Sequence, residues 1–308
     1  MKAATGWRAE RFVLEGAGVA QVLLRELPLG ISVAYAPRGP LVPAERLAAS
    51  IVALRSALAG RLCASLLCDP EVPDAPELRA DLARSGVRLA PVFVQPRRTL
   101  VVDLARDPDE LLGAMRKKTR QYIRKAERSG VTIEETSDLE RFHRVLRAVA
   151  SRDRFGIHDL AYFVRLRDAL GDRLHVQMAR VGLDDAGALL VARVGDRAWE
   201  LYGGWSGTHA EERPFYLLKW RSMMRMRALG ARSYDMWGLS PSEPSARRGR
   251  AGAGEGGQGD PLAGVENFKL GFGGEVVTWV GALEIPVRSW LYPLWSVAGR
   301  RRLSRSAA

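Results

Sequence analysis

The order of its segments constrains the fold of this 308-residue chain more than any single motif does. Twice, short strand-like stretches appear beside segments in which helix alternates with strand. In the first half, strands are predicted over 11–14, 20–24 and 31–35, a helix over 43–59 and a strand over 61–68. A helix over 75–85 and strands near 87–94 and 99–104 follow. In the second half a long helix over 108–129 precedes helices over 138–152 and 160–170. Strands over 175–181, 187–194 and 198–203, a helix over 214–229 and a strand over 233–237 come next. Pro108 suits a first helical turn after Asp107, and Gly130 and Gly230 stand where glycine closes a helix. A strand over 275–283 and a helix from 286 to about 302 finish the chain. The pattern predicts a duplicated α/β unit, with no residue-level repeat visible.

Composition narrows the function classes. The chain is 47% hydrophobic and 27% charged, as in a soluble globular protein of two ordinary domains or one large one. No apolar run reaches about 18 residues and no signal-peptide pattern is present, so neither a membrane span nor an export signal is expected. Cys63 and Cys68 stand five apart at the ends of a predicted strand and point to opposite faces, so two buried free thiols are expected rather than a disulfide. His143, His158, His175 and His209 show no metal-ligand spacing, the cysteines lack C-x-x-C, and neither a G-x-S-x-G elbow nor a Walker A sequence occurs. No metal and no cofactor are therefore expected. A formal charge of +12 and a pI near 10.3 suit polyanionic partners (RNA, anionic lipid or phosphorylated metabolites) where the charge clusters.

It clusters on the predicted helix 108–129. Leu111, Leu112, Met115, Tyr122 and Ala126 can share an apolar face, while Arg116, Lys117, Lys118, Arg120, Arg124, Lys125 and Arg128 crowd the rest. In its second half only Glu127 offsets them. Phosphate contact and a merely solvated face both stay open.

Four other segments stand out. Pro37-Arg38-Gly39-Pro40 makes a rigid turn, either a plain one or one that presents Arg38 outward to a phosphate or carboxylate. The paired glycines of Tyr202-Gly203-Gly204 permit a bulge or a close approach of backbone to ligand. Asp235, at a strand end before Gly238, is a binding carboxylate or a turn cap. Finally, Asn267-Phe268-Lys269-Leu270-Gly271-Phe272-Gly273-Gly274 sets a lysine among aromatics and glycines in a chain with six lysines against 41 arginines. An ammonium there suggests a site that wants a compact, tunable charge. Between Asp235 and this lysine, residues 240–264 are rich in Gly, Ser, Pro and Arg and read as a mobile surface loop.

Taken in order, the segments around Tyr35–Pro40, 99–104, Lys118–Val131, Tyr202–Gly204, Tyr234–Gly238 and Phe268–Glu275 resemble the Fem family (FemA, FemB and FemX) of peptidoglycan-bridge aminoacyltransferases. The long helical arm of FemA-like members is absent, so the chain is closer to the compact FemX type. The resemblance implies an α/β (α+β) fold of two tandem acetyltransferase-like (GNAT-like) domains with mixed sheets. The expected first domain is 1–98, with a C-terminal helix 286–308 packing back on it, and the second is 99–285 with the loop 240–264.

The resemblance also implies that an amino acid passes from aminoacyl-tRNA, a co-substrate, to an amine on the stem peptide of a UDP-linked or lipid-linked peptidoglycan precursor. Lys269 then falls at the family's catalytic lysine, assisted by Phe268, and Asp69 at a position considered for the amine's base. Lys2 and Arg38 fall where the family meets the precursor's phosphates, Tyr162 and Tyr202 match pocket tyrosines, and Asp235 joins the substrate side. Lys2 lies at the very start, where members have a further leading segment. A FemX-type pocket arginine is missing, and His158 stands near its place. Arg116, Lys117, Arg120 and Arg124 are the candidate tRNA contacts.

A cytoplasmic monomer is expected, with residues 289–295 and Arg300–Arg302 either touching the cytoplasmic face of the membrane or packing back on the first domain. Three rival readings remain: a coenzyme-A-dependent N-acyltransferase, a non-catalytic RNA- or envelope-binding protein, and a transferase of the same kind acting on another amine acceptor. Against the first, Arg227–Arg232 is the nearest match to a pyrophosphate turn, yet it fails at its last position and lies at a helix end. Which amino acid is carried, how many are added, and whether the acceptor is lysine or diaminopimelate are not written in the sequence.

Overall fold

The computed structural model describes residues 6–91, 94–153, 156–240 and 261–293. The chain forms two compact units, Met1–Arg97 with Val277–Ala308, and Arg98–Val276.

The first unit is built on a six-stranded mixed sheet. Its strands are β1 (Trp7–Leu14), β2 (Gly18–Glu26), β3 (Ser32–Ala36), β4 (Cys63–Cys68), β5 (Arg88–Leu89) and β13 (Leu283–Pro286), in the order β1-β2-β3-β4-β13-β5. β3 and β4 run parallel and the other pairs antiparallel. A parallel pair needs a crossover, and α1 (Leu47–Leu58) supplies it. Its Leu47, Ile51, Leu54 and Leu58 recur at helical spacing and are fully buried on Val22, Ala36, Leu66 and Ile285. α2 (Pro76–Arg84) adds Leu78 and Leu82 to the same core. Cys63 and Cys68 are free and buried in it, and burial pushes both thiols up, which leaves them inert.

The second unit holds a seven-stranded sheet of β6 (Arg98–Asp103), β7 (Thr132–Glu135), β8 (Leu174–Val181), β9 (Asp184–Val194), β10 (Arg197–Trp205), β11 (Ser233–Gly238) and β12 (Glu275–Thr278). Their order is β12-β6-β11-β10-β9-β8-β7. Here β10 and β11 are the parallel pair, joined by α7 (Pro214–Ala228). Leu217, Leu218, Trp220, Met223 and Met226 bury that helix on nearly all sides. The remaining helices are α3 (Pro108–Ala114), α4 (Lys117–Arg128), α5 (Leu139–Asp153), α6 (Leu160–Leu170) and α8 (Pro261–Leu270).

Three expectations are corrected. The single helix 108–129 is two helices, because Met115 turns to an extended backbone (φ −71°, ψ 153°) and buries its side chain under α4. The strand 275–283 divides into β12 and β13, which lie in different sheets, so the second unit ends at Val276 and not at residue 285. Residues 261–264 belong to α8 and not to a loop, while 241–260 lie outside the described residues. Of the expected helix 286–308, residues 294–308 lie outside them too, Arg300–Arg302 included. The stretch before it buries Leu291 against Val33 and Ala64 of the first unit. The short polar strand β7 was not predicted.

Candidate active site

β10 and β11 pair only at Arg197–Ser233, Ala198–Tyr234 and Trp199–Asp235, and then part. Each carries a bulge just beyond: β10 slips against β9 between Glu200 and Tyr202, and β11 slips against β6 between Asp235 and Gly238. A cavity of about 610 Å³ opens where they diverge, lined by Glu200, Tyr202, Phe215, Lys219, Phe268 and Lys269 among others. The first unit has no such parting, since β3 and β4 stay paired to Ala36–Cys68 and Asp69 N–H still donates to Ala36 (3.2 Å).

The glycine pair at 203–204 serves packing. A Cβ on Gly203 (φ +155°) would stand 2.4 Å from the Ala188 carbonyl oxygen, and one on Gly204 would stand 2.8 Å from Val149. The close approach is to β9 and α5, and both glycines also line the cavity.

Lys269 sits in the last turn of α8. Its Nζ donates to the carbonyls of Gly238 (2.7 Å) and Trp237 (3.4 Å). Those acceptors are aimed by the bulge in β11, where Trp237 takes φ +62°, a conformation a bulky side chain adopts only under constraint. The constraint is Asp235, 1% exposed, which accepts from the Trp237 N–H (2.7 Å) and from the Thr99 hydroxyl. Asp235 is thus the turn-fixing carboxylate beneath the lysine. Burial, and then the nearby charge of Lys219, bring the Lys269 ammonium down to about 8, against the opposing pull of Glu200, Asp235 and Glu266. The Phe268 ring stacks on Phe215 at 5.5 Å and meets Tyr216 and Phe272 edge-on.

Sequence reasoning missed Lys219, Glu200 and Tyr234. Lys219 and Glu200 form a buried ion pair, and the other Glu200 oxygen accepts from the Tyr234 hydroxyl (2.8 Å). The scarcity of lysine that singled out Lys269 applies equally to Lys219, which interrupts the apolar run Tyr216-Leu217-Leu218-Lys219-Trp220.

His158, Tyr162 and Tyr202 come together as a group. The His158 ring stacks on Tyr162 (3.8 Å), and the two tyrosine hydroxyls are 3.0 Å apart. Of the three, Tyr202 lines the cavity; burial and the Tyr162 hydroxyl raise its phenol, so it stays protonated.

In the first unit Arg38 and Asp69 are near neighbours in one polar group. Asp69, 3% exposed, accepts from the Tyr35 hydroxyl (2.8 Å), which also accepts from Gln95 (3.3 Å). Burial raises the Asp69 carboxyl against the contrary effects of that hydrogen bond and of Arg38. The Arg38 side chain is 20% exposed and lies 3.6 Å from Glu71, so the turn Pro37–Pro40 holds it partly buried beside a carboxylate. Lys2 lies outside the described residues.

Residues 87–190 and 183–300 match the FemAB family, well over half of the chain. The chain belongs to the FemAB family. A lipid II:glycine glycyltransferase of Staphylococcus aureus (strain USA300) is 27% identical over 243 residues, covering 73% of this chain and 54% of that protein. The chain thus spans about half the length of the curated relatives it matches. A crystal structure of FemX superimposes with a TM-score of 0.79 at 19% identity, over 96% of this chain and 91% of that one. A tandem GNAT protein from the clavulanic acid biosynthesis pathway gives 0.50 at 16% identity, over 92% and 84%. The fold is two acetyltransferase-like units with mixed sheets.

In this FemAB chain the basic helix α4 divides by role. Lys117, Arg124 and Arg116 just before the helix are exposed, and Arg116 also holds α8 through Asn267 Oδ1 (2.7 Å). Arg120 is different: one terminal nitrogen of its guanidinium donates to the carbonyls of Gly113 (3.1 Å) and Met115 at the end of α3, and also to that of Leu112, which already accepts from the Met115 N–H. Through that nitrogen it caps a helix, a role the exposed cations do not share. Among the described residues no group of three or more His, Cys, Asp or Glu could hold a metal, and no helix is long and apolar enough to cross a membrane.

Proposed function

We propose that this protein is an aminoacyltransferase that moves an amino acid from aminoacyl-tRNA to an amine on the stem peptide of a peptidoglycan precursor. Membership of the FemAB family supports the reading, as do relatives named lipid II:glycine glycyltransferase. The observation that carries it is the Lys269 ammonium, set beside Phe268 at the wall of the second unit's cavity.

In the proposed reaction the acceptor amine attacks the ester carbonyl carbon at the tRNA 3′ end, a C–N bond forms, and negative charge moves onto the carbonyl oxygen. Lys269 donates to that oxygen where the charge develops. Collapse breaks the C–O bond, and the ribose oxygen leaves with the proton the amine has lost. Asp69, raised by burial, is the candidate carrier of that proton, and a substrate phosphate is the other. Arg38 and Lys2 are assigned to the precursor's phosphates, His158, Tyr162 and Tyr202 to the substrate pocket. The coenzyme A reading is weaker: Arg227 stands in the last turn of α7 and donates to the carbonyls of Leu104 (3.1 Å) and Arg106 (3.3 Å), so it makes no pyrophosphate cradle.

The test combines purified protein, charged tRNAs taken one at a time, and either lipid II or the soluble UDP-linked pentapeptide. Transfer to one acceptor is expected; coenzyme-A-dependent acylation without tRNA would replace this reading. Because the acid form of Lys269 does the work, kcat/KM for the charged tRNA should fall as pH rises through about 8. A profile flat from pH 7 to about 9.5 would count against an ammonium donor. For the tRNA face, Arg116→Glu with Arg124→Glu should weaken tRNA binding and reduce the slope of log affinity against log salt by about 2. Arg120→Ala should leave that slope alone and cost about 1–2 kcal/mol of stability, from carbonyls left uncapped. Filter binding across a salt titration and thermal unfolding separate the two.

A further inference from the structure

We propose that Lys219 is a positioning residue for Lys269: with Glu200 it forms a buried charge pair at the point where β10 and β11 part, and together they fix the placement and protonation of the Lys269 side chain. The inference rests on the reading of the second unit's cavity as the reacting site.

Four observations support it. Lys219 is 2% exposed on α7, yet it lines the same cavity as Lys269. Its partner Glu200 is the first β10 residue beyond the last pairing with β11, and the β10 bulge follows it. Glu200 is itself fixed from behind: Tyr234, fully buried, donates to it and bonds Ser222 at 2.9 Å. The Lys219 Nζ also stands 5.4 Å from the Phe215 ring and 5.8 Å from the Phe268 ring, the two rings stacked at the cavity wall. Phe268 precedes Lys269, so a displacement of that ring moves the lysine's own backbone.

A buried ion pair adds little to stability compared with apolar residues of similar size. A pair placed in a cavity wall next to a second ammonium has an electrostatic effect on that ammonium instead. Lys219 repels a proton on Lys269, and Glu200 attracts one. The other charged groups facing Lys269 are Asp235 on β11 and Glu266 on α8, the latter paired with Arg98 of β6 at 3.3 Å. Those two hold the proton in place, and the Glu200–Lys219 pair adjusts how tightly. A more acidic ammonium is the better donor to an alkoxide that appears only during the reaction.

The experiment reads Lys269 directly. Trace acetylation with acetic anhydride is followed by peptide mass spectrometry across pH 6 to about 11, since only the neutral amine reacts. Lys219→Met should move the Lys269 midpoint up by about one pH unit or more, because Glu200 is left without its partner. Glu200→Gln should move it down. Lys219→Met with Glu200→Gln removes both charges, keeps an acceptor for Tyr234, and should place the midpoint between those of the two single variants. The double variant keeps the test open if the single one unfolds, because the Glu200→Gln midpoint and the double-variant midpoint then differ by the effect of Lys219 alone. A midpoint unmoved in every folded variant overturns the assignment; a residue that only fills space would change the unfolding temperature and nothing else. Transfer activity is recorded alongside. Shifted midpoints in a protein that never transfers would support Lys219 as stated and count against the aminoacyltransferase reading.

Discussion

Replacing Lys269 with methionine should lower the transfer rate about 10²–10³-fold with little change in KM for the charged tRNA. Loss of one donor to a developing oxyanion has that size and appears in kcat. The fold should survive, because Lys269 is only partly buried and its two acceptors are backbone carbonyls that a water can reach. Single-turnover transfer from a charged tRNA, with circular dichroism as the folding control, decides it. Transfer above about a tenth of the wild-type rate would remove Lys269 from the chemistry, since even weak oxyanion donors exceed that loss.

Asp235→Ala should be the most damaging single change away from the cavity surface. Its carboxylate accepts from the Trp237 N–H and the Thr99 hydroxyl with almost no solvent exposure. Removing it leaves buried donors unmatched, at about 1–3 kcal/mol each. Trp237 would also lose the bond that holds it at positive φ, a conformation worth about 1–3 kcal/mol in strain. When that residue relaxes, the Trp237 and Gly238 carbonyls turn away and Lys269 loses its anchors. The expected result is a fall of several kcal/mol in stability together with at least about tenfold lower transfer in whatever protein remains folded. Asp235→Asn keeps an acceptor oxygen and should restore most of both. If the alanine variant is inactive but as stable as the parent, the carboxylate has a direct role that its burial argues against.

What could be read from the sequence was mostly what is local. Strand alternation, helical spacing and glycine stops outlined the larger elements, because each is fixed by neighbours within a few residues. The two largest errors were places where distant partners decide. Near Met115 only Gly113 hints at a helix break; what fixes it is Arg120 reaching back to the α3 carbonyls and Met115 turning into the core. The split of 275–283 comes from β13 pairing with β4, more than two hundred residues earlier. At the site, Lys269 was conspicuous because an ammonium among aromatics is a chemical oddity. Lys219 looked like one charged residue in an amphipathic helix, and only its own burial, on the face away from the exposed Arg221 and Arg225, shows otherwise. Asp235 stands out in the sequence as a binding carboxylate or a turn cap; its bond to Thr99, 136 residues away, is the anchoring contact that no local pattern announces.

The contrast between the two parallel strand pairs has a consequence for how such a chain could arise. Both units follow one plan, but β3 and β4 remain zipped to their ends whereas β10 and β11 come apart after three residue pairs. If one ancestral unit was copied, the open copy kept a crevice able to swallow a reactant, and the zipped copy was released from that duty. Its strand ends instead hold Tyr35, Arg38 and Asp69 in a polar group of their own. Division of labour of this kind needs no new fold, only a change in where single-residue slips fall: beyond the parallel pairing in one copy, and between Ser32 and Ala34, inside it, in the other.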